Sequence, residues 1–367
     1  MDGGIERVTL RHPPSGAGGY DKTEVTDLFM QKKYRIGIVG TGAVGSEMLR
    51  ILRQRNFPCA DIRFMARSAR REEIAGESCE VVETTADAFE GLDFAFFAGT
   101  EGEKGASQLF GWEAVKRGVT VIDNGDDFRM DPRVPLVIPE INPEAIDQHQ
   151  GLIANPNCST IIALMAIGPL HRVAGIRRIV AATYQAVSGS GQAAIREIEQ
   201  QLADVAIGET SQPQVYPYPI LLNLLPQIGG PKPELPGYTT EEAKMLFETR
   251  KILGSDAIRV SATCVRVPVI NGHSEVLNLE FEKPLSAGEA RAILAASPGV
   301  QVLDDLATAQ YPMPLVANGK DDCLVGRIRE DASVDNGLSL FVSGDNIRKG
   351  AALNAVQIAE TVIARAS

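Results

Sequence analysis

The apolar positions of this chain change period several times, and each change marks an element. Tyr34-Arg35-Ile36-Gly37-Ile38-Val39 predicts a β-strand, while Met48, Leu49, Ile51 and Leu52 recur at helical spacing. Asp61 to Met65 predicts a second strand, and the apolar runs Leu92–Ala98 and Val119–Asp123 predict two more, with a helix over 104–117 between them. Strands without polar alternation, separated by helices, belong to a parallel sheet covered on both faces. Ile161 to Ile167 has no Gly, Pro or charge and predicts a buried helix. Ile179–Val187 then opens a different sheet, followed by a helix over 193–206. The prolines at 213, 217, 219, 226, 231, 233 and 236 exclude regular structure across 212–237. Thr239-Thr240-Glu241-Glu242 has the capping chemistry of a helix start. Strands are expected over 258–269, 276–282 and 338–343, and an Ala-rich amphipathic helix over 349–365. The fold class expected is α/β, a Rossmann-type doubly wound domain plus an α+β domain.

Composition narrows the function. The chain has 367 residues, enough for two or three domains, and 44% hydrophobic with 23% charged residues is ordinary for a soluble protein. A net charge of −11 argues against nucleic acid and anionic membrane surfaces as partners. The five cysteines, at 59, 79, 158, 264 and 323, form no CxxC pair, and four histidines without HExxH argue against zinc. Widely scattered thiols fit a reducing cytoplasm. Residues 1–33, with Gly3-Gly4, Pro13-Pro14 and Gly16 to Gly19, are expected to be a mobile extension on which function does not depend.

The candidate chemistry begins after the first strand. Gly40-Thr41-Gly42-Ala43-Val44-Gly45 lies between strand and helix, the setting in which GxGxxG lets a pyrophosphate rest on a helix N-terminus. After the second strand, where an NAD binder carries an acid, this chain has Ala66-Arg67-Ser68-Ala69-Arg70-Arg71. Arginines with a serine suit a 2′-phosphate, so NADP is the cofactor expected. A second centre is Asn155-Pro156-Asn157-Cys158-Ser159-Thr160. Ser159 and Thr160 are placed to cap the apolar helix, which leaves Cys158 just before its first turn. There the helix dipole lowers a thiol's pKa, and free N–H groups hold an oxyanion formed at an attacked carbonyl.

The other candidates are spread along the chain. Arg129, beyond Asp123-Asn124-Gly125, reads equally as an anion clamp or as a partner of Asp126 or Asp127. Gln185 ends a strand before the polar loop Ser188-Gly189-Ser190-Gly191. Glu241 and Lys244 share one helix face, as a functional pair or a surface ion pair. Arg266 and His273 approach one loop end, a carboxylate holder and a proton shuttle.

Together these motifs resemble the aspartate-semialdehyde dehydrogenase family, bacterial type, over residues 34–366. The resemblance rests on Gly40 to Gly45, Asn155 to Thr160, Thr183 to Gly189, Glu241 to Lys244, Arg266 to Glu275, and Gly344-Asp345-Asn346 through Ala352. It implies Cys158 as the nucleophile that forms an acyl-thioester, His273 as general acid/base and Gln185 as orienter of the acyl group. Arg266 would hold the substrate carboxylate and Glu241 its amino group, with Arg129, Asn157 and Lys244 around phosphate. Ser188, Gly189 and Asn346 would lie along the nicotinamide. The implied reaction is reversible, NADP-dependent reductive dephosphorylation of L-aspartyl-4-phosphate to L-aspartate-4-semialdehyde, in lysine, threonine, methionine and isoleucine biosynthesis. The implied organisation is an NADP-binding domain over 34–157 completed by the C-terminal helix 346–367, a catalytic and dimerisation domain over 158–345, and a homodimer or dimer of dimers.

Two stretches depart from the family pattern: Ala98-Gly99-Thr100-Glu101-Gly102-Glu103-Lys104 beside the cofactor, and Asp126-Asp127 ahead of Arg129. The alternatives are N-acetyl-γ-glutamyl-phosphate reductase and a catalytically silent NADP-binding paralogue.

Overall fold

The computed structural model describes residues 32–99 and 105–366. The expected extension therefore lies outside the described residues except for Lys32 and Lys33, as do Thr100 to Lys104. Among the described residues the strands form one sheet of seven and one of six.

The first sheet contains β1 (Tyr34–Val39), β2 (Cys59–Ala66), β3 (Arg70–Ile74), β4 (Glu77–Glu83), β5 (Phe94–Phe97), β6 (Thr120–Asp123) and β7 (Leu152–Ala154), in the order β3-β4-β2-β1-β5-β6-β7. Every pairing is parallel except β3 with β4. The order turns back at β1, so its C-terminal end opens the crevice where a doubly wound sheet takes its ligand. Helix α1 (Ala43–Gln54) starts at that point, and α2 (Ala106–Lys116) crosses between β5 and β6. The β3–β4 hairpin was not expected, because it is largely polar on both faces and shows no apolar period.

Helix α3 (Cys158–Ala174) joins the two sheets. Its residues from Ser159 to Leu170 are buried on all sides, the mark of a helix enclosed by the core. Ile161, Leu164 and Ile167 share one apolar cluster with Val121 and Leu152 of the first sheet and with Leu277 and Leu340 of the second. Each such side chain contributes about 1.5–3 kcal/mol when fully buried. The position of Cys158 is thus fixed by a helix that cannot shift without opening both cores.

The second sheet, in the order β11-β12-β13-β10-β8-β9, contains β8 (Ile176–Gln185), β9 (Arg259–Arg266), β10 (His273–Phe281), β11 (Val300–Val302), β12 (Cys323–Glu330) and β13 (Gly337–Gly344). Its register places functional residues in rows. Gln185 pairs with Arg266, Ser274 opposes Tyr184 so that His273 comes beside Gln185, and His273 pairs with Gly344. One row deeper on the same face lie Cys264, Thr183, Glu275 and Val342. Helices α4 (Gln192–Ala206), α5 (Thr240–Leu253), α6 (Ala287–Ala295) and the short α7 (Pro314–Ala317) follow the sheet's connections. A π-helical turn, Arg348–Ala352, leads into α8 (Leu353–Ala366), whose Leu353, Val356 and Ile358 pack with Ile36, Leu49 and Leu52.

Candidate active site

A cleft of about 1300 Å³ runs from the glycine turn after β1 to the start of α3. Gly40, Thr41, Gly42, Ala43, Val44, Arg67 and Arg70 line one end, and Arg129, Asn157, Cys158, Gln185, Glu241, Lys244 and Arg266 line the other. Ser188, Gly189, Asn346 and the π-turn residues Gly350 and Ala351 lie along the same cleft. The site expected from the sequence is therefore assembled in one place, with three qualifications. Gly45 is buried beneath the turn, Ser68 is exposed in the β2–β3 turn, and His273 is fully buried directly behind Gly189 of the cleft wall.

The glycine turn fits a dinucleotide. Gly40 has φ +106°, open to glycine, and a Cβ on Gly45 would lie 2.0 Å from the Gly40 carbonyl oxygen. A Cβ on Gly42 would meet nothing within 4 Å, which leaves room for a phosphate against the N-terminus of α1. At the ribose end the chain presents Arg67 and Arg70 rather than an acid. Arg70 donates to Thr41 Oγ1 (2.9 Å) and to the Ser68 carbonyl (3.1 Å), and pairs with Glu72 (2.6 Å). These side chains give the ribose end a cationic lining, and the residues present fit a nicotinamide dinucleotide.

Asn157, not Ser159 or Thr160, caps α3. Its Oδ1 accepts from the Ser159 and Thr160 N–H groups at 3.0 and 3.1 Å, and Cys158 is the first helical residue. This corrects the sequence reading twice. The cap comes from the residue before the cysteine, and two of the N–H groups at the helix start, expected to be free for an oxyanion, are already taken. The expected lowering of the thiol's pKa is also reversed. Burial, with the Glu241 carboxylate, pushes Cys158 up to about 12 against the pull of Arg266, Arg129 and Lys244. This half-buried thiol near a carboxylate stays protonated, because the cost of desolvating a thiolate outweighs the nearby cations.

The carboxylates of α5 hold the polar end together. Glu241 Oε1 accepts from Asn157 Nδ2 (2.9 Å) and Gln185 Nε2 (3.0 Å). Burial raises its carboxyl, but Lys244, these two hydrogen bonds and Arg266 outweigh that and hold it below its ordinary value. Lys244 Nζ lies 3.7 Å from Glu241 Oε2 and 3.1 Å from Asp126 Oδ2. Gln185 is fixed from the other side by Thr183 Oγ1, 3.0 Å from its Oε1.

Arg129 reaches a carboxylate far along the chain. Its Nη1 meets Glu248 Oε1 at 3.0 Å, while Nε and Nη2 donate to the carbonyls of Asn155 (3.0 Å) and Asn124 (2.7 Å). Asp126 turns to Lys244, and Asp127 accepts from the Gln108 amide at 3.3 Å.

Arg266 donates from Nη1 to the Ala186 carbonyl at 2.7 Å. The neighbouring Ala186 N–H donates to His273 Nδ1 at 3.0 Å. Burial and Arg266 push His273 well below the ordinary histidine range, so the ring is neutral. With Nδ1 accepting, its proton sits on Nε2, a buried atom with no hydrogen-bond partner among the described residues. A Cβ at Gly189 would come within 2.9 Å of Arg266 Nη1 and 3.2 Å of His273 Nε2, so only glycine leaves both groups in place. Asn346 Nδ2 donates to Ser188 Oγ (2.9 Å), and its Oδ1 accepts from Gly272 N–H (2.9 Å), which pins the loop beside His273.

Residues 35–149 match the family description "Semialdehyde dehydrogenase, NAD binding domain", and residues 167–349 match "Semialdehyde dehydrogenase, dimerisation domain". An aspartate-semialdehyde dehydrogenase of Synechocystis is 47% identical over 340 residues, covering 92% of this chain and 99% of that protein. The chain belongs to the aspartate-semialdehyde dehydrogenase family. A relative of the same name from Aquifex aeolicus is 46% identical over 340 residues, covering 90% of this chain and 98% of its own length. The crystal structure of aspartate semialdehyde dehydrogenase II complexed with ASA from Vibrio cholerae superposes with a TM-score of 0.84 at 39% identity, covering 91% of this chain and 99% of that one.

Within this aspartate-semialdehyde dehydrogenase fold, Glu248 is the residue the sequence reading missed. It is fully buried, and its Oε2 accepts the Asn157 N–H at 2.7 Å while Oε1 holds Arg129. The signal was present, since Glu241, Lys244 and Glu248 follow the i, i+3, i+7 spacing of one helix face.

Proposed function

We propose that this protein catalyses the reversible, NADP-dependent reductive dephosphorylation of L-aspartyl-4-phosphate to L-aspartate-4-semialdehyde, a step toward lysine, threonine, methionine and isoleucine. The observation that supports it is Cys158 at the start of α3, in one cleft with Arg266 and Glu241 on one side and the glycine turn with Arg67 and Arg70 on the other.

In this reading Arg266 holds the substrate α-carboxylate and Glu241 its ammonium, which places the acyl carbon over Cys158. The sulfur attacks that carbon, a C–S bond forms, the C–O bond to phosphorus breaks, and inorganic phosphate leaves past Arg129, Asn157 and Lys244. The thiol proton passes to the departing phosphate as the sulfur attacks, and the cations that oppose the thiol's high resting value aid its loss. Gln185, held by Thr183 and Glu241, orients the thioester. His273 presents Nε2–H to the oxygen of the acyl group, the part of the work that the Ser159 and Thr160 N–H groups cannot do. NADPH, when bound along Ser188, Gly189 and Asn346, supplies the hydride that reduces the thioester.

Residues 34–157 with 346–367 serve as the NADP-binding part and 158–345 as the catalytic and dimerisation part. Two copies pair through the outer face of the second sheet, where Tyr184 is 40% exposed and stacks on Phe341. Light scattering in solution tests the pairing, with a monomer as the contrary result.

The deciding experiment is phosphate-dependent reduction of NADP by L-aspartate-4-semialdehyde, wild type beside Cys158→Ala. Activity requiring both phosphate and Cys158 supports the reading. Preference for N-acetyl-γ-glutamyl phosphate, or turnover surviving Cys158→Ala, sinks it.

A further inference from the structure

We infer that Asp126 is a built-in competitor for the anion at Lys244, and that it sets the affinity of this site for phosphate and the phosphorylated substrate. The inference rests on the function proposed above.

Of the two basic side chains at the phosphate end, Arg129 is anchored at all three nitrogens, to Glu248 and to the carbonyls of Asn155 and Asn124. Lys244 is held differently. Its ammonium is 3.1 Å from Asp126 Oδ2 and 3.7 Å from Glu241 Oε2, and both Lys244 and Asp126 line the cleft. Glu241 is buried and fixed by Asn157 and Gln185. Asp126 is one-third exposed in the segment after β6, so it can turn away where Glu241 cannot.

A carboxylate and a phosphate offer an ammonium the same kind of acceptor oxygen. A phosphate that reaches Lys244 therefore either displaces Asp126 or sits beside its negative charge, and both weaken binding. The same contact helps the reaction toward the aldehyde, because Asp126 returning to Lys244 closes the site behind the departing phosphate. Its neighbour Asp127 turns to Gln108 instead, which makes it the matched control for charge without position.

The test compares wild type, Asp126→Asn, Asp126→Ala and Asp127→Asn. Two readouts are taken: the KM for inorganic phosphate in semialdehyde oxidation, and the phosphate concentration that half-protects Cys158 from iodoacetamide. Loss of one partly exposed charge pair corresponds to about a fivefold change, so both readouts should fall about fivefold in each Asp126 variant. The KM for the semialdehyde and for NADP should not move, Asp127→Asn should match wild type, and added salt should narrow the difference. Unchanged or weaker phosphate binding in folded Asp126→Asn and Asp126→Ala overturns the inference. The protection readout separates it from the functional reading: tighter protection in the Asp126 variants with no turnover in any protein would retain it while sinking the proposed reaction.

Discussion

Glu248 holds Arg129 with one carboxylate oxygen, at 3.0 Å, and the backbone N–H of Asn157 with the other, at 2.7 Å. One buried side chain thereby ties an anion-site arginine to the residue that caps the Cys158 helix. Burial raises the Glu248 carboxyl against the pull of Arg129, so the pair is costly to desolvate and strained to break. Removing Glu248 takes this carboxylate from the buried Arg129 guanidinium, a loss of about 3–5 kcal/mol. Glu248→Ala should therefore lower stability in urea by an amount of that order. Glu248→Gln keeps an acceptor for Asn157 and should lose less. In both, kcat should fall more than KM for the semialdehyde changes, because the cap and the cysteine move together. A variant that unfolds like wild type would show that the pair carries no such weight.

Cys158 makes a second prediction, because its thiol is pushed up to about 12 by burial and Glu241. In the ligand-free protein its alkylation should be slow at neutral pH and climb about tenfold per pH unit from 7 to 9, since only the thiolate reacts. Mass spectrometry of the Cys158 peptide separates it from the partly exposed Cys59 and Cys79. A rate that levels off by pH 8 would mean the helix N-terminus and the cations win after all. Glu241→Gln removes the nearest opposing charge and should raise the alkylation rate at pH 8.

The difference between what could be read and what could not is physical. β1, β5 and β6 and the core of α3 were legible because burial on both faces demands unbroken apolar runs, such as Ile36 to Val39 and Ile161 to Ile167. The β3–β4 hairpin was not, because Arg70 to Ile74 is the edge strand, Glu77 to Glu83 lies next to it, and both are largely polar with little to bury. The site residues were legible as motifs, but their pairings were not. Nothing local says that Arg129 finds Glu248 119 residues away, or that Asn157 spends its Oδ1 on two N–H groups. Those follow from α5 docking on α3, a tertiary event with no period of its own.

The cofactor end can be tested separately. Arg67 and Arg70 line the cleft where an acidic residue would otherwise meet a ribose hydroxyl. A hydrogen bond to a charged group is worth about 1.5–3 kcal/mol, which is roughly 10- to 100-fold in affinity. The double variant Arg67→Ala, Arg70→Ala should raise the KM for NADP by about that factor and leave the KM for NAD within about twofold. Equal losses for both cofactors would remove the arginines from 2′-phosphate recognition.

Glu275 carries the last prediction. It is fully buried one row beneath His273, and neither carboxyl oxygen has a hydrogen-bond partner among the described residues. Burial, with Glu241 nearby, raises its carboxyl well above the ordinary value, so the folded protein keeps it protonated. Below the ordinary carboxylate range the group is protonated folded and unfolded, and costs nothing differential. Above it the unfolded chain releases the proton while the folded chain holds it, so stability declines as pH rises until the folded group ionises too. Glu275→Gln is neutral at every pH and escapes that decline. Its melting temperature relative to wild type should therefore rise between pH 5 and pH 8, measured at matched ionic strength. Parallel curves for the two proteins would mean that Glu275 is ionised in the fold and has found a partner. A variant that tracks this pattern yet loses kcat would place the neutral acid among the groups that position His273.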